Sequence, residues 1–294
     1  MAAHLLVTDS GLGGLGICAG IERALRTAGC GGGVRITYFN AWPEEGGGYN
    51  SLPDETARLA YFDRALFRMQ REQPDRIVIA CNTLSVLFPR TAFARDQPTP
   101  VVGIIDTGVD SFFRSMAAAP GSRLAVFGTR ITIESGVHRD ALIARGIDSG
   151  RIAGAGCHGL AGAIESNVDG PAVDALIRDC VAAIPWQNAG GPLFAGLCCT
   201  HFGYVADRFR EALVRHTGQP VTVLDPNQGL VDCVAADVGR EATSIADAGP
   251  AVVSVLSKVR LTENGRQGIG RLVAIASPAT AEALTHYRHV PDLF

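Results

Sequence analysis

Two stretches of sequence decide the fold of this chain: PDRIVIACNTLSVLF at residues 74–88 and GPLFAGLCCTHFGYV at residues 191–205. Each begins with an apolar run as long as a buried strand, continues with a cysteine, and then reaches a threonine that starts a helical pattern. The simplest explanation is two related α/β halves that each place a cysteine at the carboxyl end of a strand. Ligands bind at that end of the strands in open α/β sheets, so we expect both cysteines at a functional site.

The rest of the chain alternates in the same way between short apolar runs and longer amphipathic stretches. This alternation predicts parallel sheets built from strand–helix–strand units. The predicted strands cover residues 4–9, 34–40, 76–81, 100–105, 123–128, 191–198 and 220–225. The predicted helices include residues 17–29, 54–72 and 173–184. We therefore expect an α/β fold with two similar parallel-sheet domains and the functional site in the cleft between them.

Composition excludes several classes of protein. The chain has 294 residues, enough for about two domains. Its 47% hydrophobic and 19% charged residues are far from a disordered composition. Lys and Arg total 26 against 29 Asp and Glu, and no basic run occurs. This small acidic excess argues against nucleic-acid partners and against an anionic membrane surface.

The cysteines and the N-terminus indicate a reduced compartment. The eight cysteines include no CxxC pair and no Cys/His grouping with zinc-finger spacing, so we expect no structural metal. The N-terminal sequence HLLVTDSGLGG has no basic region of the kind that begins a signal peptide. No apolar stretch approaches the ~20 residues that span a bilayer. These features predict a cytoplasmic protein with free thiols.

The glycine-rich motif at residues 11–16 matches G-x-G-x-x-G and has three interpretations: a dinucleotide site, a structural tight turn, or a small-ligand site. Two residues oppose the dinucleotide interpretation. Asn40 ends the second predicted strand, where a ribose-binding carboxylate is expected. Asp9 lies at the tip of the first strand, where its charge would repel a pyrophosphate. The pattern therefore favours a small-ligand site built from Asp9, Ser10 and the loop amides.

Each cysteine motif has a structural and a functional interpretation. Cys81 is followed by Asn82 and Thr83, which are good N-terminal caps, so we expect the thiol at a helix N-terminus with a lowered pKa. A lone buried cysteine is more often an inert core residue. Cys199-Thr200-His201 repeats the arrangement, although a histidine alone in this position is more often a cap. Two cysteines at equivalent places in two halves favour the functional interpretation.

Three motifs resemble, in order and spacing, the signatures of glutamate racemases within the aspartate/glutamate racemase superfamily: residues 9–15, 81–83 and 199–201. Two weaker similarities lie at residues 128–135, a Gly-Thr segment with a later Thr and Ser, and at residues 157–165, which end in Glu165. The resemblance runs from about residue 5 to about residue 230, which is most of the chain.

The resemblance implies an isomerase that interconverts L- and D-glutamate without a cofactor and serves peptidoglycan and cell wall biogenesis. One cysteine thiolate removes the α-proton, and the thiol on the opposite face returns one. It implies that Cys81 and Cys199 are these two groups, that Asp9 assists Cys81, and that His201 and Glu165 assist Cys199. The substrate-binding residues that it implies are Ser10, Asn82, Thr83, Thr200, Tyr49 and Thr132. The expected partner is a small acidic amino acid, and a homodimer is the one candidate assembly.

The resemblance also implies a discontinuous first domain. We predict that residues 1–104 and 220–294 form one domain and that residues 105–219 form the other. The strand at residues 220–225 would then return to the first sheet.

The sequence departs from the family pattern in three places. Cys198 precedes the second cysteine, where the family has glycine; strand alternation predicts that its side chain faces away from the cleft. The family's Pro-Tyr-Gly substrate loop is absent from residues 41–53, where Tyr49-Asn50 is the nearest counterpart. Glu44 and Glu45 in that loop either oppose an acidic substrate or point to solvent. The tail beyond about residue 250 resembles no motif.

Other functions remain open at this stage. A racemase of the same superfamily could act on aspartate or another acidic amino acid. A catalytically idle two-domain protein could bind a small ligand, although paired thiols have no evident use in passive binding. A nucleotide-dependent enzyme is opposed by Asp9 and Asn40.

Overall fold

Two parallel sheets organise the chain, whose computed structural model describes residues 3–96, 99–186, 190–242 and 249–294. The strands are β1 (Ala3–Asp9), β2 (Val34–Asn40), β3 (Arg76–Ile79), β4 (Val101–Gly103), β5 (Arg123–Gly128), β6 (Ile152–Gly156), β7 (Leu193–Cys198), β8 (Val221–Leu224), β9 (Val252–Ser257) and β10 (Arg288–His289). The first sheet has the order β10-β9-β2-β1-β3-β4, and the second has the order β6-β5-β7-β8. The predicted α/β fold with two parallel sheets is confirmed.

Helices connect the strands and cover the sheets. They are α1 (Leu15–Thr27), α2 (Glu55–Gln70), α3 (Asn82–Leu87), α4 (Ala92–Asp96), α5 (Ile104–Ala118), α6 (Arg130–Glu134), α7 (Val137–Ala144), α8 (Leu160–Ser166), α9 (Pro171–Ala182), α10 (Ala206–Thr217), α11 (Pro226–Ala242), α12 (Glu263–Ala274) and α13 (Pro278–Thr285). Short 3-10 helices lie at Tyr49–Ser51, Phe88–Arg90, Ser149–Arg151 and Thr200–Val205.

The central strands are buried on both faces, which is why they read as continuous apolar runs. In β7, Leu193, Ala195 and Leu197 pack into one core. Phe194 and Cys198 pack into a second core on the opposite face, with Phe112 and Met116 of α5. Burying each large apolar side chain contributes roughly 1.5–3 kcal/mol. This alternation also places Cys199, the next residue, on the first of these faces.

One strand assignment from the sequence is wrong. The strand predicted at residues 220–225 forms β8, which pairs with β7 in the second sheet rather than returning to the first. A single α-helix, α10, separates β7 from β8, and such a crossover delivers a strand beside the one it follows. The first sheet is instead completed by β9, which pairs with β2. The division into residues 1–104 with 220–294 and residues 105–219 stays a prediction.

Candidate active site

A cavity of about 370 Å³ lies where the carboxyl ends of the two sheets meet. Asp9 at the end of β1 and Cys81 beyond β3 line it from the first sheet. Thr129 beyond β5 and Cys199 beyond β7 line it from the second. The hydroxyl of Thr200 donates to Asp9 Oδ2 over 2.7 Å and so joins the two sides. The predicted site at the strand ends is therefore present as one shared cavity.

Cys81 lies at the start of α3, as its sequence predicts, but its chemistry differs from the prediction. Its backbone is extended (φ −74°, ψ 125°), and its Sγ lies 3.2 Å from the hydroxyl oxygen of Ser10. We expected the helix N-terminus to lower the pKa of this thiol. Burial and the negative charge of Asp9 instead raise the pKa of Cys81 well above its usual value. The environment therefore favours the protonated thiol at Cys81.

Asp9 is a buried carboxylate whose oxygens are both hydrogen-bonded. Its side chain is 1% exposed, and the backbone N–H of Ser10 donates to Oδ1 over 2.6 Å. The Thr200 hydroxyl donates to Oδ2. A buried charge needs such partners, since an unsatisfied one costs several kcal/mol. These two donors keep Asp9 fixed at the junction of the two sheets, within electrostatic reach of Cys81.

Cys199 is linked to a histidine and a carboxylate. Its Sγ lies 3.9 Å from Nδ1 of His201, and Nε2 of the same ring lies 2.9 Å from Oε2 of Glu165. Burial alone would lower the pKa of His201, but the contacts with Cys199 and Glu165 outweigh it and raise that pKa well above its usual value. His201 is therefore held in its protonated form, able to pass a proton to the sulfur beside it.

The glycine-rich loop packs directly against these groups. The backbone N–H of Leu12 donates to Glu165 Oε2 over 3.0 Å. A Cβ added at Gly13 would lie 2.3 Å from Thr200 Oγ1 and 2.5 Å from His201 Nδ1. The absence of a side chain at Gly13 is thus what allows the loop to reach the second sheet. Asp9 and Ser10 line the cavity, as the small-ligand interpretation predicted, but residues 11–16 do not, so the loop supports the site from behind instead of offering its amides to a ligand.

Several buried polar groups at the cavity have no protein partner among the described residues. Both side-chain polar atoms of Asn82 and the hydroxyl of Tyr49 are in this state, although each residue is only 2% exposed. Leaving such a group unsatisfied costs about 1–3 kcal/mol. Nearby, the hydroxyl oxygens of Thr83 and Thr129 lie 2.8 Å apart. The free polar atoms are available to a ligand with its own donors and acceptors.

The structure brings together nearly all of the residues predicted for the site. Those that line the cavity are Asp9, Ser10, Tyr49, Cys81, Asn82, Thr83, Glu165, Cys199, Thr200 and His201. Thr132 does not line it and lies behind Thr129, with their hydroxyl oxygens 3.0 Å apart. Cys198 borders the cavity, but its side chain packs in the opposite core.

Sequence reasoning missed several polar residues of the cavity. Among them, Arg130 and Thr262 both line it. Arg130 falls within the Gly-Thr segment at residues 128–135, which could have drawn attention to it. Thr262 belongs to the tail, where no motif pointed to a site.

In the loop at residues 41–53, the part that carries Glu44 and Glu45 is held away from the cavity. Glu44 and Glu45 are exposed and do not line the cavity. The carboxylate of Glu45 accepts from the backbone N–H of Arg260 over 2.7 Å, and Lys258 Nζ donates to the Pro43 carbonyl over 3.0 Å. The structure thus favours the interpretation in which these carboxylates face solvent. The unassigned tail supplies the residues that anchor the loop.

In the part of the chain that the structure describes, no group of three or more His, Cys, Asp or Glu side chains could hold a metal ion. None of the helices described there is long and apolar enough to cross a membrane.

The chain has relatives of similar sequence and fold. Residues 11–234 match the family described as Asp/Glu/Hydantoin racemase. The chain is 29% identical over 292 residues to the glutamate racemase of Granulibacter bethesdensis, covering 96% of this chain and 92% of that protein. Its fold is similar to the crystal structure of glutamate racemase from Campylobacter jejuni, with a TM-score of 0.68, 19% identity, and coverage of 92% and 97%. It is also similar to the Francisella tularensis glutamate racemase in complex with D-glutamate, with a TM-score of 0.66, 19% identity, and coverage of 92% and 94%.

Proposed function

Because this chain belongs to the Asp/Glu/Hydantoin racemase family, we propose that it interconverts L- and D-glutamate without a cofactor, using Cys81 and Cys199 as a pair of acid–base groups. One observation carries the proposal. Each sheet contributes one cysteine to a single cavity, and each cysteine has its own ionisable neighbour. The relatives named glutamate racemase support glutamate as the substrate.

Racemisation at an α-carbon requires a base on one face and an acid on the other. A thiolate takes the α-proton, and the electron pair of the C–H bond stays on the carbon, delocalised into the carboxylate. The opposite thiol then donates its proton to the other face of that carbon. The first sulfur ends as a thiol and the second as a thiolate, so the pair exchanges roles and acts in both directions.

The two cysteines have different ionisable neighbours. Burial and the charge of Asp9 favour the thiol at Cys81, which suits it to donate a proton. On the other side, the protonated His201 exchanges a proton with Cys199 while Glu165 stabilises its positive charge.

The polar groups around the cysteines anchor the amino acid in this proposal. The unpartnered amide of Asn82 offers both a donor and an acceptor, and the hydroxyls of Ser10, Thr83 and Thr200 lie beside it in the cavity. They would hold the ammonium and α-carboxylate so that the α-carbon lies between the two sulfurs. The cavity of about 370 Å³ is at the small end of ligand sites, which agrees with a single amino acid.

The proposal is tested by following the optical activity of pure L-glutamate and pure D-glutamate with the purified protein. The protein is first dialysed against EDTA, and no pyridoxal phosphate or nucleotide is added. We expect both enantiomers to approach the racemic mixture, and aspartate to be converted more slowly. No loss of optical activity from either glutamate enantiomer would contradict the proposal, as would activity that requires an added metal or cofactor.

The loop carboxylates provide a second prediction. Because Glu44 and Glu45 are exposed and do not line the cavity, the double variant Glu44→Gln/Glu45→Gln should change kcat/KM for glutamate less than about twofold at physiological ionic strength. Glutamine at position 45 can still accept from Arg260. A clear gain in kcat/KM for glutamate in steady-state assays would show that these carboxylates do oppose the substrate.

The contact between His201 and Glu165 gives a pH-dependent prediction. Glu165 raises the pKa of His201, so Glu165→Gln should lower that pKa. If protonated His201 is needed, activity falls as the pH rises through its pKa. The alkaline limb of the kcat/KM profile should therefore move to lower pH, with a loss of about 10- to 100-fold at high pH.

The matched control for this variant is Glu282→Gln, an exposed residue that does not line the cavity. Its pH profile should superimpose on that of the unmodified protein. An unchanged alkaline limb in Glu165→Gln, with normal activity, would remove Glu165 from the mechanism.

A further inference from the structure

We propose that Arg130 determines specificity by binding the distal carboxylate of the acidic substrate, an inference that rests on the proposed function. Arg130 is the first residue of α6 and lies at the exposed mouth of the cavity. Its position puts a permanent positive charge on the second sheet's side of the cleft.

Arg130 is a cation of the cavity lining that has no carboxylate partner among the described residues. Among the described residues that line the cavity, Arg130 is the only arginine or lysine. Glu165 lies against His201, and Asp9 is satisfied by Ser10 and Thr200. Arg130 forms no ion pair with any part of the chain that the structure describes. A dicarboxylic amino acid brings one carboxylate more than its ammonium can balance, and a guanidinium is the group that best matches a carboxylate.

The contacts of Arg130 direct it across the cleft. Its Nη2 donates to the backbone carbonyl of Asn50, at 3.5 Å, in the loop that belongs to the first sheet's side. The preceding residue, Thr129, contacts Thr83 on that same side. The guanidinium therefore lies over the mouth of the cavity and not along the outer surface of α6.

The cavity lining also offers other unsatisfied polar atoms. The Tyr49 hydroxyl and the Asn50 Oδ1 are buried without partners among the described residues. An amino acid whose α-carbon lies between Cys81 and Cys199 extends its side chain toward the remaining open part of the cavity. A terminal carboxylate would accept from the Tyr49 hydroxyl and form an ion pair with Arg130, whereas a neutral terminal amide would form no ion pair there.

The test compares glutamate with glutamine, which has the same shape and no distal charge. We would measure α-proton exchange in D₂O by NMR for both compounds, and the inhibition constant of glutamine against glutamate turnover. Arg130→Met should raise KM for glutamate about 10-fold with kcat changed little, and should leave both glutamine values within about twofold. Arg130→Lys should recover part of the loss because it keeps the charge but not the two-pronged geometry.

The matched control is Arg178→Met, which removes the same charge from an exposed position on α9 that does not line the cavity. It should leave all values unchanged. Equal losses for glutamate and glutamine in Arg130→Met, or unchanged glutamate kinetics, would overturn the inference. These outcomes are distinct from failure of the proposed function, in which the unmodified protein does not racemise glutamate at all.

Discussion

Replacing either Cys81 or Cys199 by serine should lower kcat for racemisation about 10³-fold or more in both directions. Serine is close in size to cysteine, so the buried positions of both residues should tolerate it. The hydroxyl has a far higher pKa than a thiol and cannot serve as the base. Racemisation in each direction needs both residues, so each single variant should fail in both directions.

The two variants should differ when α-proton exchange is followed one enantiomer at a time. Each variant keeps one cysteine and should still exchange the α-proton of the enantiomer that this cysteine deprotonates. Cys233→Ser is the matched control because Cys233 is exposed on α11. Near-normal racemisation by Cys81→Ser or Cys199→Ser would contradict the proposed mechanism.

The second large effect is expected at Gly13. Its substitution by alanine would place a methyl group 2.3 Å from Thr200 Oγ1 and 2.5 Å from His201 Nδ1. Either the glycine-rich loop or these two side chains must move, and the 2.7 Å hydrogen bond from Thr200 to Asp9 would be disturbed. A displacement of about 1 Å in such a site costs about 100-fold in rate, so we expect a loss of kcat/KM of this order.

Steady-state kinetics and thermal unfolding together identify the cause of that loss. The matched control is Gly268→Ala in α12, where an added methyl group meets no atom within 4 Å. This control should keep full activity and gain slightly in stability, since alanine is the better helix former. Activity of Gly13→Ala within a few fold of the unmodified protein would show that the close approach of the loop is dispensable.

The central strands could be predicted from sequence because both of their faces are buried. β3 and β7 are continuous apolar runs that end at the two cysteines. β6 was missed because its sequence, IAGAG, has no alternation and few large side chains. β10 has only two residues, too few for any periodic pattern. β9 lies in the tail, where the family resemblance ended and no assignment was made.

The sheet to which a strand belongs is harder to predict than the strand itself. The apolar run at residues 220–225 correctly predicted β8, but nothing in that run distinguishes one sheet from the other. Pairing depends on the length of the connection, and α10 is the only α-helix between β7 and β8. The family resemblance led to the wrong sheet, and the short connection would have led to the right one.

For the site, too, local motifs predicted some features, while others depend on tertiary packing. The motifs predicted which residues meet, and the resemblance to the aspartate/glutamate racemase superfamily is confirmed by the family match. They did not predict the raised pKa of Cys81, which depends on burial and on Asp9, 72 positions earlier in the sequence. Arg130 and Thr262 reach the cavity through the packing of α6 and of the tail, which the sequence alone does not show.

The most direct test of the proposed mechanism is early racemisation of L-glutamate in D₂O by the unmodified protein, followed by NMR and chiral separation. With one cysteine on each face, the D-glutamate formed should carry deuterium at its α-carbon, while the remaining L-glutamate keeps its protium. D-glutamate that retains the substrate's own α-proton, or L-glutamate that exchanges as fast as D-glutamate forms, would indicate a single base and contradict the account.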